Sequence, residues 1–251
     1  MNFFFPGQYD DHSIDKIVQD IMQAGGFPDE EPLDSIARII PPGKTQIPNH
    51  LVCHYSWTLS RYQQWDRAEA VARSIQDDPD EQGQALAILA SDLARAGLFD
   101  RARAIAISIP NLSNCPGAVS EKAAALVLLA KKLRYHPLSE VQEIINEAQL
   151  ALASIDRFGH VEINLLTELA DVYFGKKERT RATELINLAL EMSNQCNLGC
   201  QILGLTFDLE VVKSLEYIAM VLREHQEIEW AQKVEKHLQA LYQEARKQRF
   251  S

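Results

Sequence analysis

The sequence predicts an all-α protein, organised as an α-solenoid of about five helix–turn–helix repeats. Two segments that start 34 residues apart are nearly the same. WDRAEAVARSI begins at Trp65, FDRARAIAISI begins at Phe99, and they agree at seven of eleven positions. An apolar pattern with helical spacing precedes both segments and recurs further along the chain. A period near 34 residues with two amphipathic helices in each period is typical of stacked helical hairpins.

Residues 1–49 are predicted to form an N-terminal extension that caps the first repeat. Residues 13–24, SIDKIVQDIMQA, have the apolar spacing of a one-faced helix, and residues 33–40, LDSIARII, form a second short helix that stops at Pro41. Residues 41–49 read as a loop. Such caps are expected because the terminal repeat of a solenoid has one face without a neighbour.

The first helix of each repeat has a four-position packing face at i, i+3, i+4 and i+7. The i+4 residue is always small, which allows two helices to approach closely. Four copies lie in the predicted repeat region, residues 50–194, and a weaker fifth lies in residues 195–251. The five faces are Val52, Tyr55, Ser56 and Leu59; Leu86, Leu89, Ala90 and Leu93; Leu126, Leu129, Ala130 and Leu133; Leu166, Leu169, Ala170 and Tyr173; and Leu215, Ile218, Ala219 and Leu222.

The second helix of each repeat begins near a small or β-branched residue. These residues are Ala68, Ala102, Val141, Ala182 and Ala231, and they are separated by 34, 39, 41 and 49 positions. The repeat is therefore regular at first and longer toward the C terminus. Residues 195–251 are predicted to hold an irregular last repeat and a closing helix, whose basic tail suits a helix C terminus.

Two repeats resemble the tetratricopeptide repeat (TPR) family. The segment from Leu86 to Ile109 reads LxxLAxxL…GxFDxAxxxAxxI, and the segment from Leu166 to Ala189 reads LxxLAxxY…AxxxIxxA. The family's unit is a 34-residue helix–turn–helix, and the resemblance covers about residues 50–245. It implies a right-handed solenoid whose first helices line a concave groove. The usual Trp and the closing Pro are largely missing, and the later units are longer than the family's.

Composition narrows the classes of partner. The formal net charge of −10 and the pI of about 5.2 oppose binding to nucleic acid, because an acidic chain repels phosphate backbones. The sequence contains no stretch of about 18 apolar residues, so no membrane-spanning helix is expected. The start, MNFFFPGQYDD, lacks a basic segment and is a poor signal peptide. With four cysteines and no disulfide framework, a cytoplasmic protein with reduced thiols is expected.

The sequence contains only weak motifs for nucleotide binding, metal binding or catalysis. Residues 43–45, GKT, lack the glycine of a phosphate-binding loop, because Arg38 holds that position. His50, Cys53 and His54 have helical spacing, but zinc usually needs a fourth ligand and no second cluster follows. No nucleophile elbow or catalytic triad is present. The sequence therefore predicts no enzyme activity, no catalytic residue, no metal and no cofactor.

The predicted partner-binding groove combines cations with aromatic rings. Arginine forks suit carboxylates, and aromatic rings give contact area at low entropy cost, so a protein or peptide partner with an acidic segment is expected. The two-carboxylate clamp of chaperone-binding TPR proteins is not expected, because its Asn pattern is missing. In the alternative interpretation these cations are solvated or paired, as Asp92 and Asp100 could pair with Arg95. The groove residues are Trp57, Arg61, Ser91, Arg95, Lys131, Arg134, Tyr135 and Phe174.

The leading functional interpretation is a non-enzymatic protein-binding module: a scaffold, adaptor or assembly factor. The alternative is a regulatory or peptide-sensing repeat protein. A helical-repeat RNA binder is the third interpretation, and the charge disfavours it. Repeats that read bases also need matched polar pairs at fixed positions, where this chain has Gln84, Ala124 and Asn164. The oligomeric state stays open.

Overall fold

The computed structural model of the chain describes residues 49–76, 78–109, 116–155, 159–202 and 209–249. Regular structure in these ranges is entirely helical, which confirms the all-α prediction. The predicted capping helices and the GKT loop lie outside the described residues. The helices are α1 (Asn49–Arg61), α2 (Trp65–Ser74), α3 (Pro79–Arg95), α4 (Phe99–Ser108), α5 (Pro116–Lys132), α6 (Leu138–Ala153), α7 (His160–Gly175), α8 (Arg179–Ile202), α9 (Leu209–Glu224) and α10 (Ile228–Arg249).

The helices pack as five successive hairpins. Each odd-numbered helix contacts the even-numbered helix that follows it, and it also contacts the next odd-numbered helix. Within the described ranges, extensive contacts join only helices of the same hairpin or of adjacent hairpins. The packing is therefore local along the chain. The predicted boundary at 194/195 lies inside α8, which continues to Ile202.

The predicted packing faces form the core. All twenty residues of the five first-helix faces are at most 8% exposed. The second-helix positions Ala68, Ala102, Val141, Ala182 and Ala231 are fully buried. The small i+4 residue allows close contact, as the hydroxyl of Ser56 donates to the carbonyl of Ala68 across a hairpin at 2.8 Å. These observations confirm that the residues of the predicted apolar pattern are buried.

Four of the five hairpins share one turn. Three residues separate the two helices, and the middle one is left-handed: Gln63, Gly97, Lys177 and Gln226 have φ between +61° and +82°. In the first hairpin the N–H of Gln64 donates to the carbonyl of Leu59, and the other three have the same bond. This arrangement satisfies carbonyls at the end of the first helix. The third hairpin differs, because five residues separate α5 from α6.

The shared turn predicts a stabilising substitution. Lys177 has φ of +64°, a conformation in which a Cβ costs about 1–2 kcal/mol. Replacement by glycine removes this cost, but glycine loses more conformational entropy on folding, which offsets part of the gain. We expect Lys177→Gly to raise the free energy of unfolding by about 0.5–1 kcal/mol in urea denaturation. Gly97→Ala should lower it, although nothing lies within 4 Å of the added Cβ, because φ is +82°. Unchanged midpoints for both variants would contradict this account.

Candidate partner-binding surface

The first helices expose one stripe opposite their packing face. It occupies positions i−2, i+2, i+5 and i+9 relative to the first residue of each face, and these positions share one side of a helix. Every member is exposed or half-buried. This first-helix stripe comprises His50, His54, Trp57 and Arg61; Gln84, Ile88, Ser91 and Arg95; Ala124, Leu128, Lys131 and Tyr135; Asn164, Glu168, Asp171 and Gly175; and Lys213, Tyr217, Met220 and Glu224.

Most of the predicted groove residues belong to this stripe. Six of the eight are members, and Arg134 is exposed directly beside Tyr135. Phe174 is only 9% exposed, and its ring stacks on His225 with 4.8 Å between the ring centroids. It lies at i+8, and in the fourth repeat this position faces the next hairpin rather than solvent.

At the α1 end, the stripe carries an aromatic ring between two basic groups. The guanidinium of Arg61 lies 5.5 Å from the centroid of the Trp57 ring, and the His54 ring lies 5.8 Å from it on the preceding turn. A cation over an indole face is held by the quadrupole of the ring. Arg61 is exposed, so its remaining donors face water.

Arg95 on α3 has an internal partner. Its Nη1 lies 2.7 Å from Asp92, which confirms one of the two pairings considered in the alternative interpretation. Asp92 also accepts a hydrogen bond of 2.8 Å from Ser60 and so links α3 to α1. The side chain of Arg95 is still 59% exposed. A surface pair of this kind contributes little and leaves the arginine available to a second carboxylate.

Lys131, near the end of α5, and Arg134, in the turn that follows, differ in their partners. The ammonium of Lys131 lies 3.3 Å from Glu168 on α7. Arg134 lies 4.7 Å above the Tyr135 ring and donates to its hydroxyl at 2.7 Å. Tyr135 is 83% exposed, more than any other large apolar residue in the described ranges. This ring extends the stripe into solvent.

The α7 and α9 end of the stripe is acidic. Asp171 lies 2.7 Å from Nε2 of His225, next to the buried ring of Phe174. Tyr217 is half-buried; burial, together with the nearby carboxylates of Glu168, Asp171 and Glu224, raises the pKa of its hydroxyl. The stripe therefore carries Arg61, Arg95 and Lys131 on its first three helices and three carboxylates on its last two. Lys213, paired with Glu210 at 2.7 Å, is the exception.

The structure does not bring His50, Cys53 and His54 together as a set of metal ligands. Cys53 is buried at the α1–α3 contact, with Sγ 4.0 Å from the side-chain oxygen of Gln84. Burial, with help from Glu81 and Glu121, raises the pKa of its thiol to about 12. A protonated thiol is a poor ligand and nucleophile. The part of the chain that the structure describes contains no group of three or more metal-ligating side chains suited to a metal ion.

The predicted groove residues include two at i+8, Arg134 and Phe174, and none at i+2. In the first four repeats the structure buries the i+1 residues, which are Cys53, Ala87, Val127 and Thr167, whereas Glu216, at the same position of the fifth repeat, is exposed. The omitted i+2 residues are His54, Ile88, Leu128, Glu168 and Tyr217, which lie on the stripe. A signal was present, because i−2, i+2, i+5 and i+9 are spaced by three or four residues, as one helix side requires.

Comparison with family models, with curated proteins and with solved structures gives no match to this chain. Among the described helices, none is both long and apolar enough to cross a membrane.

Proposed function

We propose that this chain is a non-enzymatic interaction module, a cytoplasmic scaffold or adaptor built as a TPR-like, right-handed α-solenoid. In this proposal the first-helix stripe is the concave surface that binds a partner protein or peptide. One observation carries the proposal: five successive first helices expose the same four positions and contact each other in order. Such repetition gives one continuous surface, and repeat stacks use continuous surfaces for binding.

The charge distribution along the stripe specifies the partner further. Arg61 and Arg95 are exposed on α1 and α3, and Arg134 follows α5. Glu168 and Asp171 are half-buried on α7. An extended partner that places an acidic segment over the first three hairpins and a neutral or basic segment over the last two is complementary to both ends. The exposed Tyr135 and the half-buried Trp57 supply contact area.

The test is a pull-down from lysate with a charge-reversed stripe. We expect Arg61→Glu/Arg95→Glu/Arg134→Glu to lose at least 90% of a partner that the wild type retains, because three cations become three repulsive carboxylates. The matched control is Arg73→Glu/Arg179→Glu/Lys236→Glu, three exposed cations on second helices with the same total change of charge. Circular dichroism checks that all three proteins are equally helical.

Equal retention of the same partners by both triple variants would overturn the stripe as the binding surface. Loss with both variants would show a dependence on net charge alone, and would overturn it as well. Loss with the stripe variant alone supports it.

A peptide-sensing function is the second candidate, and a specific arrangement favours it. The pairs Lys131–Glu168 and Asp171–His225 each join two successive hairpins on or next to the stripe. A ligand that competes for these groups changes the contacts between hairpins as it binds. A sensor differs from an adaptor in that a small peptide alone then shifts the thermal midpoint.

A further inference from the structure

A polar cleft of about 300 Å³ opens between α6 and α8, on the side of the second helices and away from the first-helix stripe. Three amide side chains line it from α6, at the i, i+4, i+7 spacing of one helix side. Arg181 and Glu184 line it from α8, and Tyr173 reaches it from α7. The three amides are Gln142, Asn146 and Gln149.

Tyr173 brings a hydroxyl into this cleft because it departs from the repeat pattern. It holds the i+7 position of its packing face, where the other four copies have leucine. Its ring is buried like those leucines, and its hydroxyl accepts a hydrogen bond of 3.3 Å from Gln142. Within the described ranges the hydroxyl has no acceptor for its own proton. A leucine would fill the same core position, so the hydroxyl is additional to what the fold requires.

Gln142 is the centre of a hydrogen-bonded group. Its amide nitrogen also donates to Asn146 at 2.8 Å, and its oxygen accepts from Arg181 at 2.9 Å. Gln142 is therefore largely saturated. The amide nitrogen of Asn146, both ends of the Gln149 amide and the remaining N–H groups of Arg181 are left for a ligand.

In another hairpin, the arginine at the position equivalent to Arg181 is paired with carboxylates. Arg101, one residue before Ala102, is the counterpart of Arg181, one residue before Ala182. Arg101 pairs with Glu69 at 3.1 Å and with Asp66 at 2.7 Å. The residues that correspond to Glu69 and Asp66 in the third repeat are Gln142 and Ser139. Both carboxylates are thus replaced by neutral groups where the cleft lies.

The consequence is an exposed cation that a glutamine, rather than a carboxylate, positions. The guanidinium of Arg181 lies 5.7 Å from the centroid of the Tyr173 ring and is held by Gln142. Among the described residues, no carboxylate forms a salt bridge with it, although Glu184 lines the same cleft. An arginine with free N–H groups, beside a hydroxyl donor, is the arrangement that binds a carboxylate.

We propose that the cleft binds a carboxylate that adjoins an amide, as at the C terminus of a peptide. Arg181 and the Tyr173 hydroxyl hold the carboxylate, and Asn146 and Gln149 bond to the adjoining amide. A volume of about 300 Å³ is at the low end for ligand pockets, so only the last residues of a peptide enter. This site is independent of the first-helix stripe.

The test measures retention of two peptide libraries on the immobilised full chain. One library is of N-acetylated tetrapeptides with a free C-terminal carboxylate, and the other ends in a carboxamide. We expect at least tenfold greater retention of the carboxylate library, since the carboxamide cannot form the charge-assisted hydrogen bonds to Arg181. Arg181→Gln should abolish the difference, and Tyr173→Phe should reduce it severalfold without loss of the ring.

The matched control is Arg179→Gln, which removes the same charge two residues away on α8. Arg179 is exposed and pairs with Glu227 outside the cleft, so this variant should retain the full difference. Competition by N-acetylated amino acids would identify small carboxylates as ligands, whereas its absence would identify peptide C termini. Equal retention of the two libraries, or the same loss with Arg179→Gln as with Arg181→Gln, would overturn the proposal.

Discussion

Gly83→Ala is expected to lower the free energy of unfolding by about 1–3 kcal/mol, although it adds one methyl group and improves helix propensity. A Cβ at this position would lie 2.3 Å from the Cβ of Ala118 and 3.0 Å from its Cα. Neither atom is the end of a flexible side chain, so α3 and α5 have to move apart. Their separation would loosen the largest contact between adjacent hairpins.

Two further variants isolate the clash in Gly83→Ala. Gly175→Ala also fills a helical glycine, but nothing lies within 4 Å of its new Cβ, and we expect a gain of up to about 1 kcal/mol. Gly83→Ala/Ala118→Gly removes the methyl group that is 2.3 Å away and should recover part of the loss. Urea denaturation measures all three. A Gly83→Ala variant as stable as Gly175→Ala would show that the two helices are not in close contact.

Lys122→Met is expected to raise the free energy of unfolding by about 1–3 kcal/mol at neutral pH. Lys122 on α5 is 4% exposed. Its ammonium lies 3.8 Å from Glu147 and 3.5 Å from the carbonyl of Ile107, so a buried charge has two long contacts. Methionine fills a similar volume without the cost of removing a charge from water. Lys132→Met, at the exposed neighbouring position, is the control and should change stability little.

The effect of Lys122→Met depends on pH with a defined sign. Burial lowers the pKa of Lys122 below its ordinary value of 10.5, despite the opposing influence of Glu147. Between the lowered pKa and 10.5 the unfolded chain binds more protons than the folded chain, so the wild type gains stability as the pH rises. The advantage of Lys122→Met should therefore be largest at pH 7 and smaller at pH 10. An advantage that is unchanged or larger at pH 10 would contradict this reasoning.

The helices and their buried faces could be predicted from the sequence because burial follows the helical period directly. Ala90 is small beside Leu89 because the next helix packs closely against it, and this pattern can be recognised within a single repeat. Gly97 likewise marks a left-handed turn. The same turn at Gln63, Lys177 and Gln226 was not predictable from residue type, since these side chains tolerate that conformation only at a cost in free energy.

The pairing on the stripe depends on how one hairpin is rotated against the next, and no single repeat encodes that rotation. The sequence therefore indicated the cations Arg95 and Lys131 but could not place Ser60 beside Asp92, or Glu168 beside Lys131. The cleft was missed for a similar reason. The sequence shows that Tyr173 stands where the other four packing faces have leucine. Only the separation of α6 and α8 in the structure shows that its hydroxyl enters a cavity.

The restriction of extensive contacts to adjacent hairpins has a mechanical consequence. In the proposed solenoid, each junction between hairpins acts as a separate elastic element, and small rotations at successive junctions add along the chain. The ends of such an array can move by several ångströms while each junction strains little. In the proposed solenoid, the surface formed by the first helices is thereby compliant in length and curvature. A partner of the proposed kind that spans several hairpins would therefore bind a surface whose curvature can change.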